Sequence, residues 1–150
     1  MTPLLMHISV ITVCYNAAST LEDAVQSVLS QTADPREPFE LEYIVVDGGS
    51  TDGTLDLLEP YRNRIAKLIS EPDQGLYDAM NKGIRAATGD VVAILNADDV
   101  YASLDTLARV AAAFRATEAE AIYGNLNYVT ADDITQVKRH WRAGDFQPGA

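Results

Sequence analysis

Cysteine is nearly missing from this chain: Cys14 is the only one. A lone cysteine excludes an internal disulfide and fits a reducing compartment, and its place in an apolar strand pattern marks it as a small buried residue. Histidine is almost as scarce. His7 and His140 stand in no ligand-like spacing, so a zinc site or a Ser-His-Asp triad has little support. Positive charge is short as well, with 11 Lys and Arg against 22 Asp and Glu for a net charge of −11. Nucleic acid and anionic membranes both call for a basic surface, which argues against either as a partner. A phosphorylated ligand would need a local cluster of donors or a metal ion. No run approaches the ~20 apolar residues of a membrane span, and "MTPLLMHIS" lacks the basic start of a secretory signal. The plain expectation is a cytoplasmic protein.

What is present is ordinary for a globular chain: 47% apolar and 22% charged residues over 150 positions, enough for one domain, 1–150, with a real core. Strand-like and helix-like stretches alternate. "HISVITVCY" (7–15) is β-branched and suited to a buried strand. Ser19 and Glu22 have the spacing of a capping box, ahead of a helical stripe through Leu21, Ala24, Val25, Val28 and Leu29. The two prolines of "ADPREP" mark a loop. "LEYIVV" (41–46) is a second buried strand, followed by a helix through Leu55, Leu58 and Tyr61 and a short strand "KLIS" (67–70). Ala79, Met80, Gly83, Ile84 and Ala87 trace another helix, with Gly89 expected as its C′ glycine. "VVAIL" (91–95) is the fourth strand. A helix through Leu104, Leu107, Val110, Ala111 and Phe114 follows, then a strand in "AIYGNLNYV" (121–129). Asp132 and Asp133 read as the turn into a last strand near 136–140. This alternation predicts an α/β fold, a mostly parallel sheet with helices on both faces.

In open α/β sheets, ligands bind beyond the carboxyl ends of the strands. The polar clusters fall there: "YN" after the first strand, "DGGSTDG" after the second, "EPDQG" after the third, "NADD" after the fourth. Two unit charges ~4 Å apart repel by ~1 kcal/mol in water and ~4 kcal/mol at an effective dielectric near 20, so the adjacent Asp98 and Asp99 require a reason. A helix N-cap accounts for one of them; a divalent cation accounts for both. The sequence leaves the two explanations even. In "DGGSTDGT" the glycines allow positive φ or close approach, and Ser50, Thr51 and Asp52 can cap the next helix, Asp52 foremost. Asp47, at the strand tip, can accept hydrogen bonds from a ligand's N–H groups. Neither a dinucleotide fingerprint nor a P-loop occurs. Tyr15 can stack on a planar base or serve as a rim aromatic.

The segments "SVITVCYNAASTLEDAVQSVLSQT", "EYIVVDGGSTDGT" and "EPDQGLYDAMNKGIRAATGDVVAILNADD" resemble the nucleotide-sugar-binding half of the family 2 glycosyltransferases, inverting enzymes of GT-A fold, over about residues 7–128. The resemblance implies roles by position. Tyr15 and Asp47 would contact the nucleobase, with Thr12 and Asn16 shaping its pocket. Asp73 and Gly75 would lie beside the donor with Asn81 behind them. Asp98 would face the ribose or the metal, and Asp99 would hold the cation, Mn²⁺ or Mg²⁺, on the diphosphate. The family's D-x-D motif has Asn96 at its first position here, which makes Asp98 and Asp99 the working pair. The implied partners are a nucleoside-diphosphate sugar, with a UDP-sugar favoured, and a polysaccharide or glycoconjugate acceptor; peripheral attachment at the inner face of a membrane stays open. The chain departs from the family in one respect. The general base, usually a carboxylate, belongs to a downstream acceptor region, and Asp132, Asp133 and Asp145 do not form its motif. The expectation is therefore a donor domain lacking the acceptor and base region. Its rivals are a non-catalytic nucleotide-sugar-binding module and an inactive fragment that self-associates. A sugar-1-phosphate nucleotidyltransferase is disfavoured, because "CYNAAST" is not a Gly-rich basic phosphate loop.

Overall fold

The computed structural model describes residues 4–145. They form two compact units, residues up to 112 and residues from 113 onward. The first unit carries β1 (Met6–Cys14), α1 (Leu21–Leu29), β2 (Phe39–Asp47), α2 (Thr54–Leu58) with a 3₁₀ turn (Glu59–Arg64), β3 (Lys67–Ser70), α3 (Leu76–Ala86), β4 (Val91–Ile94) and the start of α4 (Thr106–Ala116). All four strands are parallel, in the order β3-β2-β1-β4. The α/β architecture read from the alternating pattern is the one observed.

Every residue of β1 from Ile8 to Cys14 is buried, and this is why the strand reads as an unbroken apolar run. Ile8 and Val10 pack with Tyr43 and Val45 of β2 under Leu21, Val25, Val28 and Leu29 of α1. Ile11, Val13, Ile44 and Val46 point the other way, onto Ala79 of α3. Helices therefore cover both faces, and each fully buried Val or Ile contributes about 1.5–3 kcal/mol. Cys14 is buried as expected, and burial with the neighbouring Asp47 pushes its thiol up to about 12. Gly83 sets the approach of α3 to the sheet, since a Cβ there would stand 2.5 Å from Ile11 Cγ2.

At the amino-terminal edge of the sheet a carboxylate joins three strands. Glu42 of β2 accepts from Ser9 Oγ (2.5 Å), the Thr88 N–H (2.8 Å) and Thr88 Oγ1 (2.9 Å), and pairs with Lys67 Nζ of β3 at 3.0 Å. Burial works against its charge, but these four donors outweigh it and hold its pKa down at about 2.

Several expectations need correction. Ser19 does not open a capping box: the N-cap of α1 is Thr20, with no side-chain cap bond. The turn before α1 is capped from the next loop, with the Ala17 N–H donating to Thr54 Oγ1 (2.9 Å) and the Ala18 N–H to Asp52 Oδ2 (3.1 Å). The helix through Leu55 and Tyr61 stops at Leu58, because Pro60 stands in the first turn of the 3₁₀ segment that follows. Gly89 is not a C′ glycine. α3 ends at Ala86, its C-cap Ala87 is in extended backbone, and Gly89 is small because a Cβ would meet Ser9 Oγ at 2.7 Å and His7 O at 2.8 Å.

The second unit holds the end of α4 and an antiparallel hairpin, β5 (Leu126–Val129) with β6 (Val137–Trp141). The strand expected over 121–129 is thus confined to its last four residues. Asp133 is a turn residue, as read from the sequence: its Oδ1 accepts from the Thr135 N–H (2.9 Å) and Oγ1 (2.6 Å). Asp132 lies in the same connection. The Arg139 guanidinium lies 4.5 Å from the Tyr128 ring centroid.

Two stability measurements test this account. Gly83→Ala is expected to destabilise by about 1–3 kcal/mol through overpacking, against the ~1 kcal/mol gain that alanine brings to an ordinary helix interior; a stabilised variant would refute the close approach. Glu42→Gln is expected to cost about 2–3 kcal/mol at pH 7. Because the folded pKa is depressed, this stabilisation is complete above the unfolded value of 4.5 and fades as pH falls toward about 2. Urea midpoints of wild type and variant should converge over that window, and a gap independent of pH would contradict the assignment.

Candidate functional site

The parallel register lines up the strand ends. Cys14 pairs with Asp47, and Asp47 with Ser70, so the loops after β1, β2 and β3 leave from one row. β4 pairs only to Ile11, and the Leu95 N–H continues the ladder to Ile11 O (2.9 Å) before the chain turns into Asn96–Asp99.

Asp47 lies at the centre of the row and is fully buried. Its carboxylate accepts from the N–H groups of Gly49 (3.1 Å) and Ser50 (3.1 Å), from Ser70 Oγ (2.8 Å) and, in a short bond, from Ser50 Oγ. Burial alone would raise its pKa, yet these donors hold it below the ordinary carboxylate value. Ser50 also binds the first loop, because its Oγ accepts from the Asn16 N–H (2.8 Å) while Asn16 Oδ1 accepts from the Thr51 N–H (2.9 Å). Asn16 takes φ +49° to do this, a conformation asparagine tolerates better than most residues. Neither Ser50 nor Thr51 caps α2. Its N-cap is Gly53, with no side-chain cap bond; Asp52, one residue earlier, accepts at Oδ1 from the N–H of Thr54, the first residue of the helix (3.0 Å).

The third loop is held against the second. A Cβ on Gly48 would overlap Asp73 Oδ2, and Asp73 Oδ1 accepts from the Gly75 N–H (2.8 Å). Gly75 starts α3 at φ +111°. Lys82 on α3 clamps this loop from below, with Nζ 3.0 Å from Glu71 Oε1, 3.5 Å from Asp78 Oδ2 and 3.0 Å from Pro72 O. The sequence reading assigns no role to Ser70 or Lys82, and it names Ser50 only as a cap for the next helix. A serine at a strand tip beside Glu71 is the only available sign of Ser70.

The remaining candidates distribute unevenly. Tyr15 stands at the end of β1 with 65% of its surface exposed, free to offer a ring face. Thr12 is buried two residues back in the strand, its Oγ1 accepting from the Tyr43 hydroxyl (2.9 Å). Asn81 is exposed on α3; five residues into the helix, it lies about 7.5 Å back from the tip edge. The structure brings Tyr15, Asn16, Asp47, Asp73 and Gly75 together, and leaves Thr12 and Asn81 behind the row.

Asp98 and Asp99 follow β4. The helix-cap explanation fails, since α4 begins at Thr106, seven positions beyond Asp99. Burial, and then the charge of Asp98, raise the pKa of Asp99, with partial relief from Asn96 Nδ2 at 3.4 Å. The other amide atom, Asn96 Oδ1, is buried with no donor among the described residues. Among the described residues no three His, Cys, Asp or Glu side chains cluster as a metal site. The tip does offer two carboxylates and a donor-less amide oxygen, and oxygen ligands are what Mg²⁺ or Mn²⁺ requires.

Residues 9–148 match the model of the family described as Glycosyl transferase family 2. A PGL/p-HBAD biosynthesis glycosyltransferase of Mycobacterium bovis is 38% identical over 122 residues, 79% of this chain and 46% of that protein. An uncharacterized glycosyltransferase of Nostoc sp. is 36% identical over 87% of this chain and 39% of its own length. The chain thus spans less than half the length of these curated relatives. Among solved structures, S. aureus TarS 1-349 in complex with UDP-GlcNAc matches at TM-score 0.60 and 31% identity, covering 73% of this chain and 31% of that one. The mannosyltransferase PcManGT from Pyrobaculum calidifontis, in complex with GDP-Man and Mn²⁺, matches at TM-score 0.57 and 33% identity, covering 67% and 30%. The chain belongs to glycosyl transferase family 2, a family of transferases, and its sheet is a GT-A fold.

Asp47→Asn tests whether the row is held by a buried charge. The amide would present N–H to groups that already donate, so a loss of about 2 kcal/mol or more is expected in chemical unfolding. A change below ~0.5 kcal/mol would mean that the donors are satisfied in another way.

Proposed function

We propose that this family 2 chain is the donor half of an inverting glycosyltransferase, binding a nucleoside-diphosphate sugar for transfer to a polysaccharide or glycoconjugate acceptor. The observation that carries this reading is the acidic tip: two carboxylates with no capping duty, beside a buried amide oxygen that lacks a donor. The nucleobase would lie on the exposed ring of Tyr15, against the loop that Asn16, Ser50 and Asp47 lock in place. Because the Asp47 carboxylate is already engaged, its contribution to the base would run through the loop it shapes, or through exchange of one donor for a base N–H. Asp73 and Gly75 would flank the sugar. Asp98, Asp99 and Asn96 Oδ1 would hold the divalent cation, Mn²⁺ or Mg²⁺. Such a cation neutralises charge on a diphosphate leaving group. Nucleotide sugars are what TarS and PcManGT hold, and PcManGT holds Mn²⁺ as well; a UDP-sugar is the donor we favour.

Transfer also needs a base for the acceptor hydroxyl. Asp133 is committed to its turn, and no observation assigns that role to Asp132 or Asp145. This favours, as a second reading, a module that binds donor and leaves transfer to other residues. No helix of the described residues is long and apolar enough to cross a membrane. A cytoplasmic setting, with peripheral attachment where the acceptor is a lipid, belongs to the proposal.

Thermal unfolding with UDP and GDP, each with Mn²⁺ and again with chelator, tests the site. A ligand at about 100 times its Kd adds ~2.7 kcal/mol of stability. The expected result is a shift for one nucleotide that needs the metal and disappears in Asp99→Ala. An equal shift in that variant would remove the cation assignment, and a sugar-transfer assay on the same chain separates the two readings.

A further inference from the structure

The acidic tip is a place where the chain should resist being held. Two adjacent carboxylates repel, one of them partly desolvated, and the stretch from Val100 to Asp105 has neither helix nor strand of its own. Besides its own bonds, from Ser103 Oγ to Asp105 Oδ1 (2.6 Å) and from Thr106 Oγ1 to Ser103 O (3.0 Å), it is held by α1 and the residues just past that helix. Ser27 Oγ, which donates to Ala24 O (2.8 Å), accepts from the N–H of Tyr101 (3.2 Å), two residues beyond Asp99. Gln31, just past the end of α1, uses its whole amide. Nε2 donates to Ser103 O (2.7 Å) and Ser27 O (3.2 Å), while Oε1 accepts from the Leu107 N–H (3.0 Å). Thr32 adds its N–H (2.8 Å) and Oγ1 (3.2 Å) to Leu104 O. Leu107 lies in the first turn of α4, where backbone N–H groups have no partner within the helix. Gln31 therefore caps α4 from another helix while holding the loop that leads into it.

We propose that Gln31, assisted by Ser27, is a positioning residue that fixes the loop after the acidic tip so that Asp98 and Asp99 can share one divalent cation. The inference rests on the donor-site reading above. Neither residue touches the cation. Each acts through the backbone, at Tyr101, Ser103 and Leu107, and sets how far the two carboxylates can move apart once their mutual repulsion is unopposed. Loss of the Gln31 amide would leave Ser103 O and the Leu107 N–H without these partners and loosen the loop, with Thr32 still holding it at Leu104 O.

The test titrates Mn²⁺ into the 150-residue chain with UDP, and in parallel with GDP, reading free Mn²⁺ by electron paramagnetic resonance against protein-free blanks. Gln31→Ala is expected to weaken Mn²⁺ about tenfold and Ser27→Ala about threefold, the effect of losing net hydrogen bonds that hold a ligand loop. Glu42→Gln, which destabilises the opposite end of the sheet, should leave the Mn²⁺ affinity unchanged, so general loosening cannot imitate the result. Should Gln31→Ala fail to fold, Ser27→Ala carries the test, because it removes only one loop contact. Both variants binding Mn²⁺ like wild type while unfolding more easily would overturn the proposal and leave a purely structural clamp. Wild type showing no Mn²⁺ binding that Asp99→Ala abolishes would instead overturn the donor-site reading, and this inference with it.

Discussion

A charge taken out of water must recover its hydrogen bonds from the protein, and the buried carboxylate of Asp47 imposes that requirement on the whole strand-tip edge. An unpaired charge there would be untenable. Its donors come from two directions, Gly49 and Ser50 on its own loop and Ser70 at the end of β3. Ser50 passes the constraint to the first loop through Asn16. One carboxylate thereby coordinates three strand ends, and the positive φ at Asn16 and Gly49 follows from meeting it. A ligand arriving at this edge finds loops that need little ordering, which lowers the entropic cost of binding.

The acidic tip after β4 is organised on the opposite principle. Asp47 is surrounded by donors, whereas the exposed Asp98 and Asp99 have only a long bond from Asn96 Nδ2 to Asp99 among the hydrogen bonds of the tip, and the buried Asn96 Oδ1 has no donor among the described residues. Where Asp47 is neutralised by the fold, the charge at Asp98 and Asp99 is left over. The surplus is tolerable because the segment beyond it is tied to α1. The two halves of the edge divide the labour: rigid and internally satisfied on the β2 side, held from behind and unsatisfied on the β4 side.

Much of this was legible from the residues. β1 and β2 announce themselves as apolar runs because both of their faces are covered, and the polar clusters mark strand ends because a parallel sheet delivers all of them to one edge. Apart from the helix that Pro60 cuts short, a local signal passed over, two of the errors have a common cause. Ser19 and Glu22 satisfy a local rule, but the turn before α1 takes its cap from Asp52 and Thr54, over thirty residues away. Gly89 sits where a terminating glycine belongs, yet it is small because of Ser9 across the sheet. Gln31 looks like any polar residue at a helix end. Local sequence encodes period and turn chemistry; it carries no mark of a side-chain bond formed with a partner some 70 residues distant. The candidate site could be read because carboxylates are costly to place, and what supports them was missed because amides and hydroxyls are not.

The strand order β3-β2-β1-β4 also has a temporal side. β1 is made first and lies in the interior of the sheet, yet its second neighbour is β4, and 83 residues separate His7 from the Asp90 carboxylate that meets its N–H. On a ribosome, β1, α1 and β2 can pair while one edge of β1 still waits for a strand not yet synthesised. Contacts of such long sequence separation slow folding relative to helical bundles of similar size. The same late strand carries the acidic tip. The nascent chain thus gives β1 its second neighbour and acquires its two candidate cation-binding carboxylates in a single step.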